Sequence, residues 1–425
     1  MKKLLLSAAA FAVVAVSAVA VAPTTAEAVP AFARQTGAAC YSCHFQAIPR
    51  LTAFGRNFRM NAFRDMGEQA LIEDDHLSLP AVFNAALLFK ARIKDQNGDA
   101  ALTGGAFGTG KNTAIQWPDE TAILIGGRYG EHVGGLTEWA GGGPLSYKLA
   151  YVFDTDMGSI AIAGGSTDGL GAPYLFNDPS NTTGRNIRGW QHRAAFSDAA
   201  HILSDGVSGI GVYAYLNDMA YIAIGGIIPN LGALSGNTTS ATNAAALDLS
   251  LYARIAATVE FGGFDVVGGV YYADINLKAP NAVALGALDP TGGGAGQNIG
   301  VDLQVQGDIG DASLGFYLLA QFKGEDPFLS TPLAKVDNTG YYPLVTVAFG
   351  HFGVRFGYDY SKVEVSGGPV AVSSTAKTLV AGAWYSVAQN VELDLEYNST
   401  KFGVPAGLPA VASANSTTLV LEYVY

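Results

Sequence analysis

A strict alternation of apolar and polar side chains runs through Ile299-Gly300-Val301-Asp302-Leu303-Gln304-Val305-Gln306. Because successive side chains of a β-strand point to opposite faces, this period of two predicts a strand with one apolar and one polar face. The same period recurs in residues 247–255 and 351–361. Repeated amphipathic strands of this kind favour an all-β protein.

Short and long links alternate between the predicted strands. The short links are Gly262-Gly263, Gly310-Asp311, Gly350-His351 and Gln389-Asn390, and the long ones, rich in Gly, Pro and Ala, are 277–296, 324–340, 364–374 and 402–415. Barrels of the bacterial outer membrane combine short periplasmic turns with long extracellular loops. Extending this segmentation over the whole β region predicts a transmembrane antiparallel β-barrel of about 16 strands.

The chain ends in a further amphipathic strand, with Leu419, Leu421, Tyr423 and Tyr425 on one face. A last strand that finishes on an aromatic residue resembles the signal by which outer-membrane barrels are recognised for assembly. A soluble β-sandwich or β-helix is the alternative fold. We do not expect such a fold to repeat the short and long links over this length.

The beginning of the chain predicts export. Lys2 and Lys3 precede an Ala/Val/Leu run that ends at Ala26-Glu27-Ala28, so residues 1–28 are predicted to be a signal peptide for Sec-type export. No later stretch is apolar for long enough to suggest a spanning helix. The formal net charge of −12 disfavours nucleic acid as a partner. We expect the predicted barrel to be surrounded by outer-membrane lipid.

The mature chain divides into two predicted parts. Residues 29–79 form a short, mainly helical segment, and residues 80–425 form the porin-like barrel. The first part carries five arginines, at positions 34, 50, 56, 59 and 64.

The only two cysteines lie in Cys40-Tyr41-Ser42-Cys43-His44, which is the C-x-x-C-H attachment sequence of c-type haem. A disulfide or half of a zinc site is the alternative. A zinc site would need two further ligands, and the chain has no other cysteine to supply them. A redox-active dithiol would need a βαβ context, which the sequence lacks. The motif therefore predicts one covalent haem c on Cys40 and Cys43, with His44 as the proximal iron ligand.

The sequence leaves the sixth iron ligand open. The candidates are Met60, Met66 and His76. The alternatives are that both methionines only pack against the macrocycle and that His76, next to Glu73-Asp74-Asp75, is simply solvated. The remaining histidines, at positions 132, 192, 201 and 351, are assigned to the barrel wall or to loops.

The residues around the motif carry a family resemblance. The run Ala28-Val29-Pro30-Ala31-Phe32-Ala33-Arg34-Gln35-Thr36-Gly37, which leads into the motif, resembles the fused monohaem cytochrome-porins of iron-oxidising bacteria, as does Pro49-Arg50-Leu51-Thr52-Ala53-Phe54-Gly55-Arg56-Asn57-Phe58. Ala38 departs from the family, which often has an aromatic residue there. The resemblance implies a haem segment in or at an outer-membrane barrel. It also implies oxidation of extracellular Fe(II), with single electrons passing to a soluble periplasmic cytochrome.

Charge agrees with a haem segment inside the barrel. The basic segment would face lumen acids, which we assign to Asp248, Asp302, Asp359, Glu392, Asp394, Glu396 and Glu422. The alternative is that these acids pair with Arg254 and Arg355 on the same wall. No nucleophile or general base is recognisable, so any oxidoreductase-like activity would rest on electron transfer. Two other functions stay open: a haem-porin conduit for a different donor or acceptor, and a substrate-specific porin with a non-catalytic haem.

Overall fold

The computed structural model describes residues 31–48, 50–67, 69–75, 77–98, 112–140, 145–166, 176–180, 207–229, 250–276, 295–324, 335–366, 372–403 and 413–425. The predicted signal peptide, Asp248, His192 and His201 lie outside these residues. His132 and His351 both lie in short links between strands.

The N-terminal part contains few and short helices. They are α1 (Ala31–Thr36), α2 (Cys40–Cys43) and α3 (Ala53–Met60). Helix α3 begins where Thr52 Oγ1 accepts a hydrogen bond from the Gly55 amide at 3.2 Å, which is ordinary N-capping. A two-stranded antiparallel sheet follows, formed by β1 (Leu71–Asp74) and β2 (Leu77–Pro80). Within the described part of the chain, no helix has the length and apolar character needed to cross a bilayer.

Sixteen further strands form a closed antiparallel barrel. They are β3 Ala85–Gly98, β4 Asn112–Arg128, β5 Val133–Ala140, β6 Leu145–Thr155, β7 Gly158–Ser166, β8 Val207–Leu216, β9 Ala220–Pro229, β10 Ser250–Phe261, β11 Phe264–Asn276, β12 Ala295–Ile309, β13 Ala312–Gly324, β14 Lys335–Phe349, β15 Phe352–Ser366, β16 Val372–Ala388, β17 Val391–Gly403 and β18 Ser413–Val424. Each strand pairs with its neighbour in sequence, and β18 closes the barrel on β3 with Leu421 opposite Ala91. The predicted strand number is confirmed.

Two boundaries differ from the sequence prediction. The first barrel strand begins at Ala85, because residues 71–80 form the separate two-stranded sheet instead of joining the wall. Several strands also extend into the predicted long loops; β14, for example, already begins at Lys335. Backbone hydrogen bonds can continue a ladder after the period-two pattern of side chains has ended. All four predicted short links are confirmed as tight turns.

The two faces of the wall have opposite chemistry. On β10 and β15 the apolar Ile255 and Phe356 are 64% and 62% exposed, whereas the neighbouring Arg254 and Arg355 are 1% and 3% exposed. A closed barrel with an apolar outer face and a polar inner face suits a lipid bilayer, since every ladder bond is satisfied internally. The chain is an integral outer-membrane protein.

Two buried arginines cross the inner wall in the same way. Arg254 on β10 reaches over Gly269 of β11 to bind Asp302 of β12 with both terminal nitrogens, at 2.6 and 3.0 Å. Arg355 on β15 reaches over Gly382 of β16 in the same manner. A Cβ atom at either glycine would lie within 2.8 Å of the guanidinium. The glycines therefore make room for arginines that link strands which do not pair directly.

These ion pairs confirm one of the two charge assignments made from the sequence. Arg254 binds Asp302, and Arg355 binds Asp394 and Glu396. Three of the acids named from the sequence are therefore paired with arginines of the wall itself.

Candidate haem site

Residues 31–48 and 50–67, which we call the plug, lie inside the barrel at the end formed by the short turns. The Gln46 side-chain amide donates to the Ser313 carbonyl at 2.6 Å, and the Cys40 amide donates to Gln389 Oε1 at 3.0 Å. Both acceptors are in or beside short turns. Since short turns are periplasmic in barrels of this class, the plug occupies the periplasmic end of the lumen.

Ion pairs fasten the plug to the same end of the barrel. Arg56 forms a bidentate pair with Asp265 at 2.8 Å for both bonds, and Arg64 lies 2.6 Å from Asp154. Both acids lie within a few residues of short turns, and neither was among the acids singled out from the sequence. Arg56 and Arg64 of the plug therefore pair with acids of the rim, while Arg254 and Arg355 of the wall pair with three acids of the wall. The assignment to wall arginines is therefore confirmed for three of the acids named from the sequence, whereas these two plug ion pairs use acids outside that set.

A short piece of chain folded into the lumen contacts the plug from a second side. Residues 176–180, which we call the lumen segment, are buried throughout. The Ser180 carbonyl accepts from Arg59 Nη2 at 3.0 Å, and Asp178 forms an ion pair with Arg254. The lumen segment thus joins the plug to the wall through two arginines.

The C-x-x-C-H motif forms one helical turn that is held by the chain following it. The His44 amide donates to the Cys40 carbonyl at 2.9 Å, which closes the turn. Thr52 binds the motif twice: its amide donates to the Cys43 carbonyl at 2.9 Å and its hydroxyl to the Ser42 carbonyl at 2.7 Å. The turn is therefore rigidly placed relative to the N-terminus of α3.

Gly55 allows α3 to approach the motif closely. A Cβ atom at this position would lie 2.1 Å from the Cys43 carbonyl oxygen, far inside van der Waals contact. Only glycine permits this approach without moving backbone. The glycine in the Phe54-Gly55-Arg56 run thus has a packing function beside the haem motif.

The His44 ring is oriented by a backbone carbonyl. Its Nδ1 lies 3.2 Å from the Arg50 carbonyl oxygen, which can only accept a hydrogen bond. Nδ1 therefore carries the proton, and Nε2 keeps its lone pair for a metal. Burial lowers the pKa of His44 to about 4, and the charge of Arg59 acts in the same direction, against the hydrogen bond to Arg50. The imidazole is neutral at neutral pH, as a metal ligand must be.

The two thiols complete a donor set that fits a c-type haem. Cys40 and Cys43 are half-buried on the same turn and are not joined in a disulfide. Burial raises the pKa of the Cys43 thiol to about 11, with a smaller contribution from Cys40. Two neutral thiols beside a neutral imidazole with a free Nε2 match the chemistry of covalent haem attachment and axial ligation. Cys40, Cys43 and His44 would hold the group.

The candidates for the sixth ligand lie in different surroundings. Met60 ends α3, is 1% exposed, and belongs to a cluster of buried side chains dominated by the wall; its carbonyl accepts from the Tyr213 hydroxyl at 2.7 Å. Met66 is half-buried near the end of the plug, and His76 lies outside the described residues. The distal ligand stays a prediction. No group of three or more His, Cys, Asp or Glu side chains arranged as a metal site is found among the described residues.

Sequence reasoning did not identify the residues that orient the motif. The Arg50 carbonyl, the Thr52 hydroxyl and the Gln389 side chain all act on it. Backbone acceptors leave no trace in a single sequence, and Gln389 is 349 residues from Cys40. The Pro49–Phe58 resemblance, which includes Arg50, Thr52 and Gly55, is the one signal that pointed to this region.

Comparison with known proteins finds likeness in structure alone. No protein-family model and no curated protein matches the sequence. The fold is similar to in-vitro-folded OmpT, an outer membrane protein of Vibrio cholerae, at 14% identity over 84% of this chain and 99% of that chain, with a TM-score of 0.46. An anion-selective porin from Comamonas acidovorans is 11% identical over 81% of this chain and 99% of that chain, with a TM-score of 0.49. The outer membrane channel DcaP of Acinetobacter baumannii is 12% identical over 84% and 100%, also with a TM-score of 0.49.

Proposed function

We propose that this protein is an outer-membrane cytochrome-porin that oxidises extracellular Fe(II) and passes single electrons to a soluble periplasmic cytochrome. The observation that carries the proposal is the anchoring of the C-x-x-C-H turn inside the barrel. The Tyr41 hydroxyl donates to Ser386 Oγ at 2.6 Å and the Cys40 amide to Gln389, both at the β16–β17 turn. A bound haem c would supply a one-electron iron couple at this place.

The protein's own residues would contribute position and electrostatics. Cys40 and Cys43 would hold the group covalently, and His44 would bind its iron while the Arg50 carbonyl keeps the ring oriented. The plug keeps this site at the periplasmic end, where a soluble electron acceptor can approach the barrel. Fe(II), as the substrate, prefers oxygen ligands such as those of carboxylates.

A porin-like barrel also favours a second candidate, a substrate-specific porin with a non-catalytic haem. A haem conduit that serves a different donor or acceptor is a third possibility. The three candidates differ in whether the barrel conducts solutes and in which electron donor or acceptor the haem would serve. Ion conductance in planar bilayers separates the porin from the two conduits, and the choice of reductant separates the conduits from each other.

The first experiment tests haem attachment. The chain, expressed in a host that matures c-type cytochromes, should retain haem through denaturing electrophoresis, and the Cys40→Ala/Cys43→Ala variant should lose it. The variant barrel should still fold, because the hydrogen bond of Cys40 to the wall and that of Cys43 to Thr52 are both made by backbone atoms of the cysteines. Wild-type protein without covalent haem would overturn the proposal.

The second experiment tests the electron donor. Stopped-flow absorbance should show Fe(II) reducing the oxidised haem in a phase whose rate rises with Fe(II) concentration. The reduced protein should then be reoxidised by a soluble c-type cytochrome. A haem that dithionite reduces but Fe(II) does not would refute iron oxidation while leaving the conduit for another donor.

A further inference from the structure

One plug residue connects the haem motif to the barrel wall through both its backbone and its side chain. The Arg50 guanidinium carbon lies 5.4 Å from the ring centre of Tyr317 on β13 and 5.3 Å from that of Trp384 on β16. Both distances are in the range of cation–π attraction, which strengthens when the groups are shielded from water. Arg50 and both rings are buried. The cation is therefore held by two aromatic side chains from nearby strands of the wall.

Trp384 is itself closely packed. A Cβ atom at Gly353 of β15 would lie 2.0 Å from the indole, so the ring rests directly on that glycine. Trp384 also forms a buried cluster with Ala47 of the plug and Ala348 of β14. The indole is therefore packed against both the wall and the plug.

Gln46, next to Ala47 in the plug, adds polar contacts with β13 and β14. Gln46 donates to the Ser313 carbonyl and accepts from the Thr346 hydroxyl at 2.7 Å. The stretch from Gln46 to Arg50 thus contacts three strands of the same part of the wall, β13, β14 and β16. Arg50 also belongs to the plug's own turn, because its carbonyl accepts from the Phe45 amide at 2.9 Å.

The same carbonyl is the acceptor for His44 Nδ1. Without the side-chain contacts of Arg50, this acceptor would be held in place by the plug's own turn alone. In metal sites such an acceptor sets the ring orientation and raises the basicity of the ligand. The wall, through the rings of Tyr317 and Trp384, thus acts on Nδ1 of the imidazole, while Nε2 is the nitrogen that would bind metal.

We propose that Arg50 is a positioning residue for His44, held in place by Tyr317 and Trp384, so that the electronic character of the haem ligand depends on the closed barrel. This inference rests on the proposed function only in assuming that haem is bound. Its structural part, that the wall holds the residue 44–51 turn, applies to the haem-free chain as well.

Two variants of the full chain test the proposal: Trp384→Ala removes one ring, and Arg50→Met removes the cation but keeps the chain length. In the haem-free protein, refolded in detergent, amide hydrogen exchange at residues 44–51 should become about tenfold faster in both. In the haem-loaded protein, the midpoint potential of Trp384→Ala, which keeps the charge of Arg50, should rise, because a longer Nδ1–H···O bond makes the imidazole a weaker donor to ferric iron.

Arg64→Ala is the matched control. Arg64 is another buried plug arginine, but it pairs with Asp154 at a distant part of the rim. Its loss should leave exchange at residues 44–51 unchanged, and Arg50→Lys, which keeps a cation between the rings, should keep most of the wild-type protection from exchange. Unchanged exchange in Trp384→Ala and Arg50→Met, in barrels that still show heat-modifiable migration, would overturn the proposal. Failure of haem attachment would refute the proposed function alone, since the exchange measurement needs no haem.

Discussion

Removal of the Arg355 cation should destabilise the barrel strongly. Arg355 binds Asp394 through Nη1 at 2.5 Å and Glu396 through Nε and Nη2 at 3.2 and 3.0 Å. All three side chains are at most 3% exposed. Substitution by methionine fills similar space but leaves two carboxylates buried in the lumen wall without their cation.

The expected magnitude follows from the burial of this cluster. Breaking a buried ion pair by removing one partner costs about 3–5 kcal/mol, because the remaining charge is left without compensation. Arg355→Met leaves two such charges, so we expect a loss at the upper end of that range. Neutralising the acids as well, in Arg355→Met/Asp394→Asn/Glu396→Gln, should recover most of the loss, since no uncompensated charge remains.

Urea titration of the haem-free barrel, refolded into lipid vesicles, would measure the free energy of unfolding of each variant. Lys362→Met is the matched control on the same strand: Lys362 lies 2.7 Å from Glu364, but the two side chains are 36% and 47% exposed. Its loss should cost no more than about 1 kcal/mol, because water screens the exposed pair. A cost below about 1 kcal/mol for Arg355→Met, or a triple variant as unstable as the single one, would refute this reasoning.

Three further predictions concern the plug and the orientation of the barrel. Gly55→Ala should lower the haem content of a folded barrel, because its Cβ would lie 2.1 Å from the Cys43 carbonyl oxygen. Gly268→Ala, whose Cβ would have its nearest neighbour at 3.7 Å, should bind as much haem as wild type. Equal haem content in both variants, measured by absorbance, would contradict this. Asp74→Cys, on β1 before the barrel begins, should resist a membrane-impermeant maleimide in intact cells, whereas Asn97→Cys, near the long-loop end of β3, should react. The reverse pattern would show that the barrel has the opposite orientation in the membrane. Planar bilayers should show little ion current for the wild-type protein, because the plug and the lumen segment occupy a lumen whose wall side chains are buried. A steady conductance of the size found for porins would show instead that the lumen is open.

The sequence was most informative where structure depends on local pattern. The period-two stretches predicted the inner and outer faces of β10, β12 and β15, and the paired turn residues predicted four of the tight turns. Both signals act within a few residues, since strand pleat and turn geometry are properties of short segments of backbone. The strand ends were less predictable, because ladder bonds continue through Gly- and Ala-rich chain that shows no alternation.

Partners of the charged side chains could not be predicted in the same way. Arg56 and Asp265 are 209 residues apart, and Arg355 meets its acids across an intervening strand only because Gly382 has no side chain. Such pairs depend on strand register and barrel closure, which composition and spacing do not encode. Of the two charge assignments made from the sequence, the pairing of wall acids with Arg254 and Arg355 is confirmed. The plug arginines Arg56 and Arg64 instead pair with two acids that the sequence did not single out.

The sequence by itself determined that this chain is an amphipathic barrel of about 16 strands with one C-x-x-C-H motif near its N-terminus. Both are written in local order: a period of two in the strands, and five consecutive residues in the motif. Only the tertiary structure decided that the motif lies in the lumen at the short-turn end, with His44 oriented by Arg50 and Arg50 held by Tyr317 and Trp384. Those contacts join residues that are far apart in sequence, and they exist only once the closed barrel has brought its wall around the plug.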